Sequence, residues 1–389
     1  MTLEQLKDFF RKKPGYIKRG AGWLADFLEL DDLDKIKRAK TEVAAEIKKD
    51  VMMGDDSKKL RLKSTWQVQK KGGEVEWLES YKAVEQSEYQ LTKEDWENII
   101  DKVGNISITY NKETTLPSNN KALIIWTSDK HIGASIPDDA LYKKKYDEHV
   151  FFSRMEKIYQ KAMSLFQTYG IFDKLIVADL GDSLDGYNAQ TTRGGHDLPQ
   201  NLNNKEAAQV HFYTHKWFYE QLLNSGISKE LEVVHISNDN HAGDFGWQAS
   251  FALQQYGSVA YPDIKFTIPE EFLSHFVLYD RAYIITHGKD KKNRKHGLPL
   301  KINADTESFL MDYVIDRKLG NYKIHVRKGD LHMNDLDCSR MKMTYWNIGS
   351  IFGASDWIMD NYSMTKASCV FEIVEKESET LNAQIFWLS

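Results

Sequence analysis

The sequence predicts an α/β protein whose strand-rich C-terminal end builds a second sheet on the first. Short apolar runs at 122–128, 174–180, 231–237, 282–286 and 323–328 have the length and composition of buried strands. Helical spacing near 147–168, 205–225, 247–256 and 306–318 alternates with them, the order found in α/β proteins. Another strand near 264–268 and three closing runs at 342–348, 368–373 and 383–388 then crowd strands together, which calls for a further sheet.

Bulk composition narrows the function classes. At 389 residues, the chain holds one large domain plus a small one. It is 41% hydrophobic and 28% charged, the balance of an ordinary globular protein. A net charge of −5 gives no global basic field, so any contact with nucleic acid has to be local. No signal-peptide pattern opens the chain and no apolar run spans a bilayer, which predicts a cytoplasmic protein with no membrane partner. Cys338 and Cys369 have neither zinc-type spacing nor a disulfide framework.

Residues 1–50 read as a small helical module. Leu3, Leu6, Phe9 and Phe10 recur at helical spacing until Pro14 interrupts. Residues 22–28 give a short helix, and Asp31 or Asp32 caps the next, which runs through Leu33, Ile36, Ala39 and Val43. Lys35, Lys37, Arg38 and Lys40 on that helix suggest a helix-turn-helix-like module that contacts DNA. Interleaved Glu and Asp fit a plain solvated face equally well, in which case the module serves a protein partner or a homo-oligomer.

Residues 51–118 carry less signal. Met53 to Ser57 reads as a loop, and 62–68 with 74–81 form a β-hairpin about Gly72-Gly73. A helix starts near Lys93, with Trp96, Ile99 and Ile100 on one face. Thr114 to Asn120, with Pro117, is the clearest linker, which places the catalytic domain at 119–389.

Five of the predicted strands end in metal-binding residue types. Asp129 and His131 follow the run at 122–125. If the chain stays extended there, both side chains leave the same face. Asp182 and Asp185 follow the second run, and Asn238, Asp239, Asn240 and His241 the third. His287-Gly288 follows the fourth, and Gly329-Asp330-Leu331-His332 the fifth. A lone histidine at a strand end is usually a hydrogen-bonded loop residue; five such endings in order are hard to explain that way.

In that order, Asp-x-His, Gly-Asp-x-x-Asp, Asn-His, His-Gly and Gly-x-x-His, the chain resembles the calcineurin-like metallophosphoesterases over about 120–350, a group that includes SbcD-type nuclease subunits. The resemblance implies a double β-sandwich flanked by helices, with two divalent metal ions. It implies that Asp129, His131 and His332 hold one ion, that Asp182 bridges, and that Asn240, His287 and Asp330 hold the other. His241 would be the proton donor or charge stabiliser. Two departures matter. Asp330 stands where the family has His, a harder ligand that tilts preference towards Mn²⁺ or Mg²⁺, with Fe and Zn²⁺ as alternatives. Asp239 and Ala242 replace the family's Gly and Asp around Asn240-His241, so Asn238 competes with Asn240 for the ligand role.

Neighbouring residues extend the site. Asp185 is a candidate to orient a ligand imidazole, against a turn-capping role. The polar stretch from Gly186 to Asp197 is long enough to be functional. In it, Asn188 is a candidate substrate contact, Arg193 a phosphate fork and His196 a second proton donor. Lys289, Lys291, Lys292, Arg294, Lys295 and His296 follow His287, and a basic strip suits a polyanionic strand. Trp247, Trp346 and Trp357 are expected in the core, with base stacking as the alternative. The chain therefore predicts a two-metal phosphodiesterase, first of all a DNA nuclease. The alternatives are a phosphomonoesterase or small-nucleotide phosphodiesterase, and a non-catalytic binding protein with a degenerate site. A helix-turn-helix-like start before such a domain also resembles predicted phage-encoded proteins, which would place it in the host cytoplasm.

Overall fold

The computed structural model describes residues 1–12, 28, 32–52, 60–69, 75–83, 119–136, 140, 145–292, 296–354, 359 and 365–388. The chain divides into two compact units, Met1–Glu88 and Tyr89–Ser389. In the first unit, helices α1 (Leu3–Lys12) and α2 (Leu33–Met52) bury Leu6 and Phe10 against Ile36, Ala39 and Val43. Strands β1 (Leu60–Gln69) and β2 (Val75–Ala83) pair antiparallel, as the hairpin pattern predicts. The turn between α1 and α2, the short helix expected at 22–28 apart from Leu28, the helix from Lys93 and most of the linker lie outside the described residues. The basic residues of α2 are largely matched by its own acids: Lys35 with Asp32, Lys37 with Asp34, and Arg38 with Glu42.

The second unit is built on two sheets. Strands β3 (Lys121–Thr127), β4 (Phe172–Asp179), β5 (Ser228–His235) and β6 (Lys265–Thr267) run parallel. β12 (Ser368–Glu375) and β13 (Asn382–Trp387) extend that sheet antiparallel in the order β13-β12-β3-β4-β5-β6. The other sheet has the order β10-β11-β9-β8-β7, from β7 (Ser274–Leu278), β8 (Arg281–Thr286), β9 (Lys323–Lys328), β10 (Asp335–Asp337) and β11 (Met343–Asn347). Helices α3 (Glu148–Tyr169), α4 (Asn204–Asn224) and α5 (Asp244–Ala260) accompany the first sheet, and α6 (Ala304–Asp316) the second.

Strand alternation explains the layers. Leu123 and Ile125 of β3 enter the core shared with α3 and α4, while Ala122, Ile124 and Trp126 enter the core between the sheets. Both faces are buried, which is why the strand reads as a continuous apolar run. This is the predicted α/β fold, two sheets packed together and flanked by helices. The structure adds β7 and β10, which the sequence pattern does not announce. Trp247 is half-buried, Trp346 is buried, and Trp357 lies outside the described residues.

Burial also sets a pH sensitivity in the second sheet. His325 stacks on Tyr283 at 5.1 Å and donates or accepts through Nδ1 with Thr344 Oγ1 at 2.9 Å, while its buried Nε2 has no partner. Burial, with the nearby Arg327 charge, pushes its imidazole down to about 4. The unfolded chain therefore binds this proton first, between its ordinary 6.5 and about 4. Stability is full above that window and falls as the pH drops through it. Urea midpoints measured across it are expected to decline less steeply in His325→Phe than in the native chain.

Candidate active site

All five motif loops converge where the strands of both sheets end, and they do so through unusual backbone. Asp129, His131, Asp182, Asp330 and His332 all have positive φ, between 47° and 75°. Left-handed conformations are uncommon outside glycine, although Asp and His tolerate them better than most, and they cluster at functional sites. This corrects one expectation. Asp129 and His131 do not leave an extended strand on one face; the chain turns at each. Their N–H groups instead donate to Gly181 O at 3.0 Å and Asp182 O at 2.9 Å, locking the first loop to the second. Close approach dictates the glycines. A Cβ on Gly329 would lie 1.9 Å from Ser128 Oγ, and one on Gly181, at φ 102°, would lie 2.8 Å from His287 Nδ1.

The side chains then meet in one pocket. His131 Nε2 lies 3.1 Å from His332 Nε2, and His332 Nε2 lies 3.4 Å from Asp129 Oδ1. Asp182 Oδ2 sits 3.1 Å from His287 Nε2, 3.7 Å from His241 Nε2 and 3.9 Å from His131 Nε2. Asp330 Oδ1 is 4.0 Å from His287 Nε2. Donor atoms from Asp129, His131 and His332 fall within 4.8 Å of one another, and so do those from Asp129, Asp182 and His287.

Each imidazole is oriented from behind. His131 Nδ1 faces Asp185 Oδ1 at 2.9 Å, and the other histidines donate from Nδ1 to backbone carbonyls: His287 to Leu180, His332 to Gly353 and His241 to Asp185. In each, Nε2 is left towards the pocket, the arrangement that fixes the tautomer of a metal-binding histidine. Burial lifts the Asp185 carboxyl to about 7.

Whether these residues fit divalent cations is decided by what they lack. Asp129 Oδ1, Asp182 Oδ1, Asn240 Oδ1 and His287 Nε2 are buried and make no hydrogen bond of normal geometry. Buried polar atoms are nearly always satisfied, and divalent cations would satisfy these. The donor set of carboxylate and amide oxygens with imidazole nitrogens suits Mn²⁺, Fe or Zn²⁺, so the residues fit the two ions. Asn238 donates its amide N–H to Glu270 O at 3.1 Å, while Asn240 Oδ1 is buried without a hydrogen bond.

Several parts of the site are invisible to motif reading. Asp239 accepts from the N–H groups of Ala242, Gly243 and Asp182, tying the Asn240-His241 loop to Asp182, so the departure from glycine has a positioning role. The segment 350–353 closes the pocket. Ser350 Oγ donates to Asp129 O at 2.8 Å, and the Phe352 ring lies 5.3 Å from His131. Only its small residues hint at this in the sequence.

Other candidates stand at the rim. The Arg193 N–H donates to Asn240 O at 3.0 Å, while its guanidinium donates to Asp290 O at 2.6 Å. His196 is exposed on its own loop, and Asn188 is exposed and bonded to Asn204 at 2.6 Å. Among the described residues the structure does not bring His196 or Asn188 to the carboxylates. Lys289 is half-buried and Lys292 exposed, Lys291 pairs with Asp244, and Arg294 and Lys295 lie outside the described residues.

No family model matches the chain, and no curated protein does. Solved structures similar to it include a dimetal phosphatase from Danio rerio, at 8% identity and a TM-score of 0.36, covering 69% of this chain and 99% of that one. Another is a 5'-nucleotidase from Candida albicans, at 12% identity and a TM-score of 0.33, covering 70% of this chain and 52% of that one. The chain spans about half the length of that nucleotidase. No helix among the described residues is long and apolar enough to cross a membrane.

Proposed function

We propose that the protein is a two-metal phosphoesterase that hydrolyses phosphodiester bonds, with a DNA strand as its substrate class and Mn²⁺ as its preferred ion. The observation that carries this is the meeting of Asp129, His131, Asp182, His287 and His332 in one pocket, with Asp129 Oδ1 and Asp182 Oδ1 buried and without a hydrogen bond. Asp129, His131 and His332 would hold one cation and Asn240, His287 and Asp330 the other, with Asp182 shared. Two such cations supply Lewis-acid activation of a water and of the phosphoryl group.

The chain's own residues supply the rest. His241 is the most open of the pocket's histidines, its side chain 18% exposed. Its Nδ1 is committed to Asp185 O, so Nε2 is the atom that meets a leaving oxygen. Burial opposes a charge on His241, yet the Asp182 and Asp185 carboxylates outweigh it and raise its pKa. Proton donation of this kind contributes about 10²–10⁴-fold in rate. His241→Ala is expected to lower kcat by that range while the bound-metal count stays at the native value, since His241 stands outside both proposed donor sets.

Lys289 and Lys292 after His287 support a polyanionic substrate. The reading is tested with Mn²⁺, labelled single- and double-stranded DNA, p-nitrophenyl phosphate and its bis-ester. The expected result is cleavage of DNA and of the bis-ester. Turnover of the monoester alone would replace the nuclease reading with a phosphomonoesterase. Turnover of none would remove the hydrolase.

A further inference from the structure

Helix α3 and the residues just before it reach the pocket through two side chains that no motif announces. Arg154 on α3 is half-buried and donates from Nη1 to the carbonyls of Ile351 and Phe352, at 2.6 and 2.8 Å. Its guanidinium lies 5.2 Å from the centre of the Tyr146 ring. Tyr146 is buried and packs edge-on against Phe352 at 4.7 Å. The Tyr146 hydroxyl donates to Lys130 O, between Asp129 and His131. The next carbonyl after Phe352, that of Gly353, accepts from His332 Nδ1 at 2.7 Å.

We propose that Arg154 is a positioning residue for the cation assigned to Asp129, His131 and His332: it clamps segment 350–353 so that Gly353 O holds the His332 ring with Nε2 towards the pocket. The proposal rests on the two-metal reading above. A trans peptide sets each C=O opposite the following N–H. The Phe352 N–H donates to Asp129 O at 3.0 Å and the Gly353 N–H to Ser350 Oγ at 2.9 Å. The carbonyls of Ile351 and Phe352 are therefore turned the other way, and Arg154 is the side chain that meets both. Gly353 itself has φ 95° and no side chain to fix its orientation. The direction of its carbonyl is thus set by how firmly the two preceding peptides are held.

The clamp bears on one donor set and not on the other. His287 is oriented by Leu180 O, and the Asn240-His241 loop is tied through Asp239. Loss of a group that orients a metal-binding imidazole weakens the metal by about 10–100-fold. Without Arg154 the segment keeps other ties: Ile351 N–H to Ser128 O at 3.0 Å, and Ser368 N–H to Ser350 O at 2.8 Å. It therefore stays on the protein while its carbonyls lose their fixed direction. An arginine that served only to pin α3 would act on both ions alike, through general loosening of the fold.

The metal-free full chain is titrated with Mn²⁺, and the free ion is read by electron paramagnetic resonance. The native chain is expected to bind two ions. Arg154→Ala is expected to bind one of them with native affinity and the other about 10–100-fold more weakly. Guanidinium, far below concentrations that unfold the chain, is expected to restore the weakened ion by occupying the place of the missing side chain; sodium chloride at the same concentration is not. Arg154→Gln, too short to reach both carbonyls, is expected to behave like Arg154→Ala and replaces it should that variant fail to fold by circular dichroism. A native chain that binds no Mn²⁺ would remove the two-metal reading and this proposal together. Two native ions beside a folded variant with both affinities unchanged, or both weakened equally, would overturn this proposal alone.

Discussion

Asp182→Ala is expected to lower phosphoester hydrolysis by more than about 10³-fold, because Asp182 is the one carboxylate that both proposed donor sets share. Its Oδ2 lies within 4 Å of His131, His241 and His287, and its Oδ1 is buried with no bond. Removing it should therefore weaken both cations together. A change at Asp129 or Asp330 would touch one set. Steady-state rates with the bis-ester, read beside Mn²⁺ content, check this: activity and both equivalents of metal fall together. A variant that keeps both ions and near-native turnover would remove Asp182 from the centre of the account.

Glu372→Ala is expected to cost about 3–5 kcal/mol of stability, the cost of breaking a buried ion pair. Glu372 on the first sheet takes Arg327 from the second, through Nη2 at 3.1 Å and Nε at 3.3 Å. The Tyr283 hydroxyl and the Trp126 indole N–H satisfy the remaining lone pairs at 2.7 and 3.0 Å. Burial works against the charge, but Arg327 and these donors outweigh it and hold the carboxyl below its usual range. The guanidinium lies among the rings of Trp126, Tyr283 and Trp346, 5.3–5.8 Å from their centroids. Truncating Glu372 leaves Arg327 charged and unpaired between the sheets. The paired change Arg327→Met with Glu372→Leu should cost much less, since no charge is then stranded. Urea unfolding of the single and double variants makes the comparison. Equal losses in both would mean that packing, and not the buried charge, sets the cost.

Under the pocket, β3 and β8 were legible because both of their faces are buried and they are apolar almost without interruption, while β4 and β5 are apolar only towards their C-terminal ends and β9 only at Ile324 and Val326. β7 escaped notice because His275 and the exposed Val277 break its pattern, and β10 because Asp335-Leu336-Asp337 has no apolar run at all. The candidate ligands were legible because each follows its strand within a few residues. The supports behind them were not. Gly353, Leu180 and Asp185 act through backbone carbonyls, which any residue could present. Buried charges were the other blind spot. Lys130, Arg327, Lys328 and Glu372 are all 1% exposed or less, where residue type alone would assign them to the surface. His211 and His215 hid in the same way, as polar positions in a helix whose apolar neighbours carried the pattern.

Anomalous diffraction from crystals soaked in Mn²⁺ tests the central claim most directly. Two peaks are expected, one beside Asp129, His131 and His332 and one beside Asn240, His287 and Asp330, with Asp182 reaching both. A pocket that stays free of anomalous signal at saturating Mn²⁺, with these side chains in place, would contradict it.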